Sequence, residues 1–517
     1  MNQKIIYILL LLCFYQTPQY ANGVEKEKIR ETSSKNDTVM SAAYWKLWNP
    51  EVQAKIDQDI EKNRKADAVL NFKGLPTGTA ITVKQVSHDF LFGAQIFNFN
   101  QLGSYKLNAK YKELYGTLFN SATIPFYWNN FEMQPNRPRF REEYWDTEEY
   151  WNNVKDPKKQ PNWRRPATDP VVKFCKSKGI HLHGHTIIWG NGHSWPKWFF
   201  DQYWPKEEKE NLDKLTKEEI KEMPSEEIEK LAPVFFHALN RLAEKRIVEL
   251  ANYYGDQINS WDVVNESSGD FHGQSVTGDA VCKSEYGWMH GDYAYHGFKT
   301  AGEAFPDNVQ LFINDYNRAD TPERTAENYA NQVKDLLAHD CRIDAMGSQM
   351  HLFKDQQIFD IVAGKPLESP QWQWNKMDAI SKAGLPIHLS EITITSPVGD
   401  EKGQKIQAII ARNLYRLWFS IKPMMGITWW NVVDDCGANG EPSVSGLFTR
   451  DMKPKLSFFA LNNLINHEWK TNTTVIVGKD GIARFRGFKG RYLIKWKNSA
   501  GEQQQIDFYL KNDGDGI

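Results

Sequence analysis

The sequence lacks a strong net charge and has few cysteines, and each shortage argues against a class of protein. Its 63 basic and 65 acidic residues leave a formal charge of −2 over 517 residues, which argues against nucleic acid or a membrane surface as the partner. Four of the five cysteines follow the leading apolar run, and they have no zinc-binding spacing. One disulfide could form among them in an exported chain: they are Cys175, Cys282, Cys341 and Cys436. We expect neither a metal nor a cofactor.

The apolar run at the N-terminus is too short to span a membrane. It covers Ile5 to Phe14 and follows Lys4, a pattern typical of a signal peptide. The sequence therefore predicts a signal peptide at 1–23, a polar linker at 24–42 and a catalytic unit at 43–517. We expect a monomer that is secreted, periplasmic or located at the cell surface, and that is not a transmembrane protein.

Aromatic residues, in contrast, are abundant. The chain has 19 tryptophans, and aromatic residues make up 13% of it, more flat apolar rings than a core requires. Most of these rings are expected to pack in the interior. Because sugar rings stack on aromatic faces, the excess fits a polysaccharide as ligand.

Short apolar runs alternate with longer amphipathic ones along most of the chain. Four stretches have helical spacing: 169–178, 236–254, 322–338 and 403–421. Eight candidate strands separate such stretches: 90–96, 121–124, 181–187, 258–266, 309–316, 345–351, 386–392 and 426–432. Eight strand-helix units predict an α/β fold, a (β/α)8 TIM barrel over about residues 88–468. In such a barrel, the residues that do chemistry stand at the C-terminal ends of the strands.

Two features lie outside the predicted barrel. Residues 66–88 and 473–510 both alternate like strands, so the two ends are predicted to pair as a small β-extension. The charged insert 205–230 follows the third strand and contains a capping signal, Thr216 with Glu219. We expect the insert to overhang the active face, either with a role there or as a solvated helical hairpin with none.

Two glutamates follow apolar strands, Glu266 in INSWDVVNE and Glu391 in PIHLSE. Either alone could belong to a buried salt bridge, but their strands lie three apart, which places them across the mouth of a closed barrel. The pair predicts acid/base chemistry on a glycosidic bond, and retention requires carboxyl groups roughly 5 to 5.5 Å apart. Glu391 would be the ionised nucleophile, and its charge would keep Glu266, the acid/base, protonated. Asn265 would donate to the sugar 2-hydroxyl.

Three histidines recur at every second residue and share one face of a strand: His181, His183 and His185. His-x-His in a barrel can hold a metal, with His351 and Asp434 as further ligands, which defines a metal-dependent barrel hydrolase as a rival class. That class would leave the two strand-end glutamates without a role. We therefore interpret His185 as a residue that hydrogen-bonds the ligand and His181 as a packed residue.

Several strand-end motifs together resemble glycoside hydrolase family 10, the family of retaining endo-β-1,4-xylanases. The resemblance runs from about residue 50 to residue 468, and its motifs occur in the family's order: HGHTIIW at 183–189, WDVVNE at 261–266, FINDYN at 312–317, GSQMHL at 347–352, HLSEITI at 388–394 and ITWW at 427–430. It implies Glu266 as acid/base and Glu391 as nucleophile. It also implies sugar contacts from His185 and Trp189, support of the nucleophile and 2-hydroxyl by Gln349, a hydrogen bond from His351 to Glu391, and Trp430 as a floor under the −1 sugar.

The second strand departs from the family's pattern. Where the family reads T-P-E-N-E-M-K-W, this chain reads TIPFYWNN at 123–130. The Glu, Asn and Lys that bind the glycone sugar are replaced by Pro125, Phe126 and Asn129. Phe126, Tyr127 and Trp128 then form either a different platform, for a substituted or differently linked β-glycan, or a bulkier barrel wall.

The chain departs from the family's pattern at two further places. The tryptophan that the family has after the eighth strand is absent from 434–445, and Gly190 follows Trp189 where histidine is usual. A site that loses groups for binding hydroxyls changes the sugar it accepts. The predicted chemistry is thus more firmly based than the predicted substrate.

The leading prediction is a secreted, metal-independent retaining glycoside hydrolase. It would cleave internal β-1,4 linkages of xylan, or of a related plant or algal β-glycan, by double displacement. The alternatives are an enzyme specific for a different β-linked polysaccharide, a glycan-binding barrel without turnover, and the metal-dependent hydrolase. The predicted substrate-binding residues are His185, Trp189, Asn265, Gln349, His351, Trp430, Asn129, Phe126 and Trp128.

Overall fold

A computed structural model describes residues 39–517 except 192–193, 277–280, 285–286 and 319–320. The predicted signal peptide and most of the predicted linker lie outside the described residues. No described helix is both long and apolar enough to cross a membrane.

Eight parallel strands form a closed barrel, in which the eighth strand pairs with the first. The strands are Leu91–Gln95, Ser121–Pro125, His181–His185, Ser260–Asn265, Gln310–Tyr316, Ala345–Leu352, Ile387–Ile394 and Met424–Trp429. A two-residue strand, Ile188–Trp189, pairs with the end of the fourth. Every strand predicted from the sequence is present, so the (β/α)8 prediction is confirmed.

Helices surround the barrel and cover the apolar outer faces of its strands. The α-helices are Ala42–Leu47, Pro50–Arg64, Tyr105–Glu113, Trp128–Phe131, Glu148–Asn153, Thr168–Ser177, Lys197–Tyr203, Lys206–Asp213, Lys217–Glu222, Ser225–Leu231, Pro233–Tyr254, Tyr293–Ala304, Ala326–Ala338, Asp355–Val362, Pro370–Ser381, Glu401–Ser420 and Leu456–Asn463. The predicted start of one helix at Pro322 is corrected. Residues Pro322–Arg324 form a 3-10 turn, and the α-helix begins after Thr325, whose side chain accepts the Asn328 amide at 3.1 Å.

Close packing inside the barrel depends on small residues. Gly184 in the third strand leaves room for the Trp261 indole of the fourth, because a Cβ at position 184 would lie 2.2 Å from that ring. Trp261 is itself fully buried. The third and fourth strands can therefore pair while a large ring fills the space between strand and helix.

The two ends of the chain form a β-extension beside the barrel, as predicted. Its strands are Lys65–Asn71, Ala80–His88, Asn472–Ile476, Ile482–Phe488, Gly490–Lys497, Gln503–Leu510 and Asp515–Gly516. Lys65–Asn71 pairs with Ile482–Phe488, and Ala80–His88 lies between two C-terminal strands. These sheets bury a core of their own, separate from that of the barrel, which includes Leu70, Ile81, Tyr492, Ile494 and Leu510.

The charged insert at 205–230 forms three short helices that pack on the helix Pro233–Tyr254. Thr216 and Glu219 make the predicted capping box. Glu208 accepts hydrogen bonds from the amides of Val234 and Phe235, both at 3.1 Å. The insert therefore caps the start of an outer helix, which gives it a structural role.

Candidate active site

The two glutamates predicted to be catalytic lie at the C-terminal mouth of the barrel. Glu266 follows the fourth strand directly, and Glu391 lies within the seventh. Three strand intervals separate them in the closed ring, as the sequence indicated. The side chain of Glu391 is 7% exposed, so the carboxyl group is largely buried but still reaches the surface of the cleft.

Two side chains hold the carboxylate of Glu266. The amide of Gln349 donates to Oε1 at 3.0 Å, and the indole of Trp189 donates to Oε2 at 3.0 Å. The backbone of Glu266 has φ +57°, in the left-handed region, which costs roughly 1–2 kcal/mol for an ordinary residue. Its amide donates to the carbonyl of Asn314 at 2.7 Å, a bond that helps to hold this conformation. Such strain is concentrated at functional sites.

Burial favours the protonated form of Glu266. Desolvation raises the pKa of Glu266 to about 7, and the charge on Glu391 acts in the same direction. The hydrogen bond from Gln349 opposes this shift because it stabilises the carboxylate. A carboxyl group with this pKa holds a proton at near-neutral pH and can release it, which is the property of a general acid/base.

Glu391 lies among hydrogen-bonding partners that suit an ionised carboxylate. The amide of Asn314 donates to Oε1 of Glu391 at 3.0 Å and to Oδ1 of Asn265 at 2.8 Å. Nε2 of His351 lies 3.3 Å from Oε2, and Nε2 of His185 lies 3.7 Å from Oε1. Donors on both oxygens stabilise the negative charge and fix the orientation of the group.

His185 is in turn held by Asp262, a buried carboxylate at the centre of the barrel. Nδ1 of His185 lies 2.7 Å from Oδ2 of Asp262, and Nε2 of His183 lies 2.9 Å from the same oxygen. Burial disfavours the charged form of His185, but the bond to Asp262 and the charge on Glu391 raise its pKa overall. Asp262 thus fixes the orientation of the His185 ring beside Glu391.

The three alternating histidines all face the barrel interior and contact polar side chains there. Nε2 of His181 lies 3.2 Å from the hydroxyl of Ser260, and burial lowers the pKa of His181 to about 3. Across the described ranges, no group of three or more His, Cys, Asp or Glu side chains is arranged to hold a metal ion. The arrangement seen is a hydrogen-bonded network around Asp262 and Ser260.

An aromatic wall lines one side of the catalytic pair; we define it as Phe97, Tyr127 and Trp430. The Phe97 and Trp430 rings are 5.2 Å apart, and the Phe97 and Tyr127 rings 6.0 Å apart. Tyr127 lies 5.2 Å from the ring of His185, and Trp430 lies 5.6 Å from it. Trp430 stands immediately after the eighth strand. Phe97 is fully buried, so Tyr127 and Trp430 are the rings of the wall that can contact a ligand near Glu391.

Two of the aromatic residues predicted to bind substrate lie elsewhere. Phe126 is fully buried, and its ring packs against Trp261 at 4.6 Å. Trp128 packs on Trp195 at 4.9 Å, and its indole donates to Glu132 at 2.8 Å. The interpretation of Phe126 and Trp128 as ligand contacts is therefore wrong, because both side chains belong to the bulkier barrel wall.

Between those two residues, Tyr127 points the other way and joins the aromatic wall. Asn129 lies half-buried on the short helix Trp128–Phe131. One of the three consecutive aromatic residues thus faces the cleft, and the replaced second strand contributes a tyrosine ring there.

Sequence reasoning missed four residues of the site: Asn314, Asp262, Glu441 and Arg164. Asn314 was present in the FINDYN motif, where a polar pair ends a buried strand, and this signal could have identified it. Asp262 similarly interrupts an apolar strand. Glu441 and Arg164 lie in loops, and their pairing at 3.3 Å joins segments far apart in the chain, so no local pattern indicates it.

Comparisons with known proteins agree with this barrel fold. The profile of Glycosyl hydrolase family 10 matches residues 144–464, more than half of the chain. The chain therefore belongs to glycosyl hydrolase family 10. Among solved structures, a GH10 protein from Paenibacillus barcinonensis superimposes with a TM-score of 0.50 at 20% identity, covering 73% of this chain and 96% of that one; this likeness concerns the fold.

The curated relatives share limited sequence identity with this chain. Endo-1,4-beta-xylanase A of Halalkalibacterium halodurans is 31% identical over 206 residues, which cover 39% of this chain and 45% of the relative. Endo-1,4-beta-xylanase B of Thermotoga neapolitana is 23% identical over 358 residues, covering 66% of this chain and 88% of the relative. The chain thus matches less than half the length of the first relative.

Proposed function

We propose that this protein is a retaining glycoside hydrolase that cleaves a β-linked polysaccharide by double displacement. The observation that carries the proposal is the contrast between two neighbouring carboxyl groups. Burial and the charge on Glu391 raise the pKa of Glu266 to about 7, whereas Glu391 lies beside the Asn314 amide and the imidazoles of His351 and His185. Environments that separate acid from base in this way define the two roles.

In the first step, Glu391 attacks the anomeric carbon of the sugar at −1. The bond from that carbon to the glycosidic oxygen breaks, and Glu266 transfers its proton to the departing oxygen. Asn314 orients Glu391 through the 3.0 Å bond to Oε1. The product is a glycosyl ester of Glu391, and this carboxylate no longer carries a charge.

In the second step, Glu266 accepts a proton from water, and the water oxygen attacks the anomeric carbon of the ester. Loss of the charge on Glu391 in the intermediate lowers the pKa of Glu266, because that charge helps to raise it. Glu266 is therefore ionised when a base is required. Hydrolysis of the ester regenerates Glu391 with retention of anomeric configuration.

The experiment is to incubate the purified protein with a panel of β-glycans and to determine the anomer first formed by NMR. Release of a β-anomer from a β-linked substrate supports the proposal. A Glu391→Ala variant should lose hydrolysis while still binding oligosaccharide. Absence of hydrolysis with every β-glycan, or unchanged activity of that variant, would contradict the proposal.

Xylan is the first substrate to test because both curated relatives named above are endo-1,4-beta-xylanases. The altered second strand favours a second candidate, a different β-linked polysaccharide. Pro125, Phe126 and Asn129 stand where the family has Glu, Asn and Lys. The family's hydrogen bonds to the glycone sugar cannot form in the same way, so the panel should include other β-glycans.

We also propose that the protein is exported and that residues 1–23 are removed. The support is the apolar run behind Lys4, which has the length of a signal peptide and not of a membrane span. Expression of the full chain with its leader, followed by N-terminal sequencing of the exported protein, tests this. A mature protein that retains residue 1 would contradict it.

A further inference from the structure

Two consecutive arginines, Arg164 and Arg165, extend the aromatic wall on its glycone side, where the second strand is altered. Arg164 is buried and Arg165 is half-buried. The guanidinium of Arg165 lies 3.9 Å from the centre of the Tyr127 ring and 5.2 Å from that of Phe97. The guanidinium of Arg164 lies 5.4 Å from the Phe97 ring. Both cations therefore lie against rings of the wall.

Glu441 neutralises Arg164. Oε2 of Glu441 lies 3.3 Å from Nη1 of Arg164, whose Nη2 donates to Asn431 at 3.1 Å. Burial alone would raise the pKa of Glu441, but the charge of Arg164 and hydrogen bonds lower it overall. The indole of Trp430 donates to Oε1 at 3.2 Å. Glu441 thus pairs with Arg164 and accepts a hydrogen bond from Trp430 of the aromatic wall.

Arg165 has no corresponding carboxylate. Within the part of the chain that the structure describes, no carboxylate oxygen lies within the 4.0 Å ion-pair distance of its guanidinium. Its Nη1 donates to the carbonyl of Arg164 at 2.9 Å, and its Nε is buried without a hydrogen-bond partner. Burial and the charge of Arg164 lower the pKa of Arg165 to about 10, so it is still a cation at neutral pH.

The opposite, aglycone side of the cleft has the reverse balance. Arg324 lies 3.1 Å from Asp315, which is fully buried. Asp270 accepts the hydroxyl of Tyr293 at 2.7 Å nearby, and Glu266 faces the same side. Basic charge is therefore matched by carboxyl groups there. An anionic substituent would find no unpaired cation among these groups, whereas Arg165 would attract it on the glycone side.

We propose that the glycone side binds a sugar that carries an anionic substituent, a carboxylate or a sulfate ester, through Arg165. The inference rests on the proposed function and names the class of substrate that this site accepts. A buried guanidinium without a counter-ion is costly, and an oxyanion matches the planar fork of its donors. Arg165 places a cation beside Tyr127, which follows the second strand that has lost the family's sugar contacts.

The test compares charged oligosaccharides with the same oligosaccharides after neutralisation. One pair is a glucuronoxylan oligosaccharide before and after reduction of its carboxyl groups. The other is a sulfated β-galactan oligosaccharide before and after desulfation. Binding is measured by isothermal titration calorimetry in a Glu266→Gln background, which mimics the protonated acid and prevents turnover. The two pairs distinguish a carboxylate from a sulfate ester.

We expect at least one charged form to bind about 10- to 100-fold more tightly than its neutralised form, as for one charge-assisted hydrogen-bonded pair. Arg165→Gln should abolish this preference, and Arg165→Lys should retain part of it. The matched control is Arg484→Gln on the β-extension, where Arg484 is 58% exposed and pairs with Asp480 at 2.9 Å. That substitution removes the same charge without changing the preference.

Equal affinity for the charged and neutralised forms in both pairs, or a preference that survives Arg165→Gln, would overturn the inference. Thermal unfolding of each variant shows whether the substitution has damaged the fold. If Arg165→Gln has damaged it, the binding preference of Arg165→Lys is used to decide the inference instead. Hydrolysis by the unsubstituted protein is assayed separately. Absence of hydrolysis with all four substrates would contradict the proposed function for these glycans, while the titrations would still decide the inference.

Discussion

The side-chain amide of Gln349 donates to Oε1 of Glu266 at 3.0 Å, across two strand intervals of the barrel. Gln349 is also the strand partner of Glu391 in the pairing of the sixth and seventh strands. One residue thus lies next to the predicted nucleophile along the sheet and touches the predicted acid with its side chain. The pKa of Glu266 depends on this link, because the hydrogen bond from Gln349 lowers it.

Replacing Gln349 with alanine should move the alkaline limb of the pH profile upward. Its hydrogen bond lowers the pKa of Glu266, which burial has raised to about 7. A general acid acts while protonated, so activity falls as pH rises through that pKa, and the limb follows the pKa upward when the bond is lost. We also expect kcat to fall about fivefold, as for a lost neutral hydrogen bond of about 1 kcal/mol.

The measurement is kcat/KM against pH for the wild type and for Gln349→Ala. Gln371→Ala is the control, because Gln371 is exposed and its side chain donates to Asn375 on its own helix at 2.8 Å. Its profile should match that of the wild type. A limb that stays in place or moves downward in Gln349→Ala would show that this bond does not stabilise the carboxylate.

Substitution of Gly347 by alanine should reduce kcat through Asn314. A Cβ at position 347 would lie 2.2 Å from Oδ1 of Asn314, so Asn314 must move from its 3.0 Å bond to Glu391. Misplacing a catalytic group by about 1 Å can cost about 100-fold. We expect a loss of that order in kcat, with a smaller effect on KM, measured by steady-state kinetics.

Gly302→Ala provides the contrast. A Cβ at position 302 would make an ordinary 3.5 Å contact with Arg342, in the helix Tyr293–Ala304. Alanine stabilises a helix interior by roughly 0.5–1 kcal/mol relative to glycine. The variant should therefore unfold at the same or a higher temperature with kcat unchanged. Equal kcat in Gly347→Ala and the wild type would exclude a role for Asn314 in positioning Glu391.

Loss of the acid should matter only when the leaving group needs a proton. Glu266→Ala should lower the rate on a polysaccharide by about 10²- to 10⁴-fold, the usual contribution of general acid catalysis. An aryl glycoside with a dinitrophenolate leaving group needs no proton, so its glycosylation step should be nearly preserved. The burst of dinitrophenol in stopped-flow absorbance measures that step.

Glu391→Ala is the counterpart, because without a nucleophile the aryl glycoside should react no better than the polysaccharide. A dinitrophenol burst in Glu391→Ala would contradict the assignment of Glu391 as the nucleophile and of Glu266 as the acid/base.

The β-extension should influence stability without influencing catalysis. Ile494 is fully buried in its core, so Ile494→Ala should lower the free energy of unfolding of this layer by about 2–5 kcal/mol. The measurement is chemical denaturation together with kcat. Ile506→Ala is a matched control, because Ile506 faces Ile494 across the strand pair but is 40% exposed. A large fall in kcat for Ile494→Ala, measured under conditions in which the variant is still folded, would show that the extension influences the cleft.

Local sequence pattern was sufficient to predict the barrel and the position of Glu266 and Glu391 at its mouth. Each strand is an apolar run of a few residues, and in a barrel such runs must end at the same mouth. Glu266 and Glu391 are charged groups that follow such runs, so their position along the chain already implies their position in space. The pairing of the two chain ends was predictable for the same reason, because alternating residues indicate one buried face.

Side-chain direction at the end of the second strand could not be predicted in this way. Phe126, Tyr127 and Trp128 are three consecutive rings, and their order in the sequence is compatible with any of them facing the ligand. Trp261 and Trp195 provide packing partners for Phe126 and Trp128, which leaves Tyr127 for the cleft. Those partners come from distant segments of the chain.

The amino-acid sequence on its own was enough to predict the fold and the position of two glutamates at the mouth of the barrel, because both depend on regular spacing within single segments. The tertiary structure alone revealed the charge balance of the glycone side. Arg164 and Arg165 come from one loop and Glu441 from another, and the difference between a paired and an unpaired cation is set by ångström-scale distances. Electrostatic energy depends on distance in space, whereas the sequence records only distance along the chain.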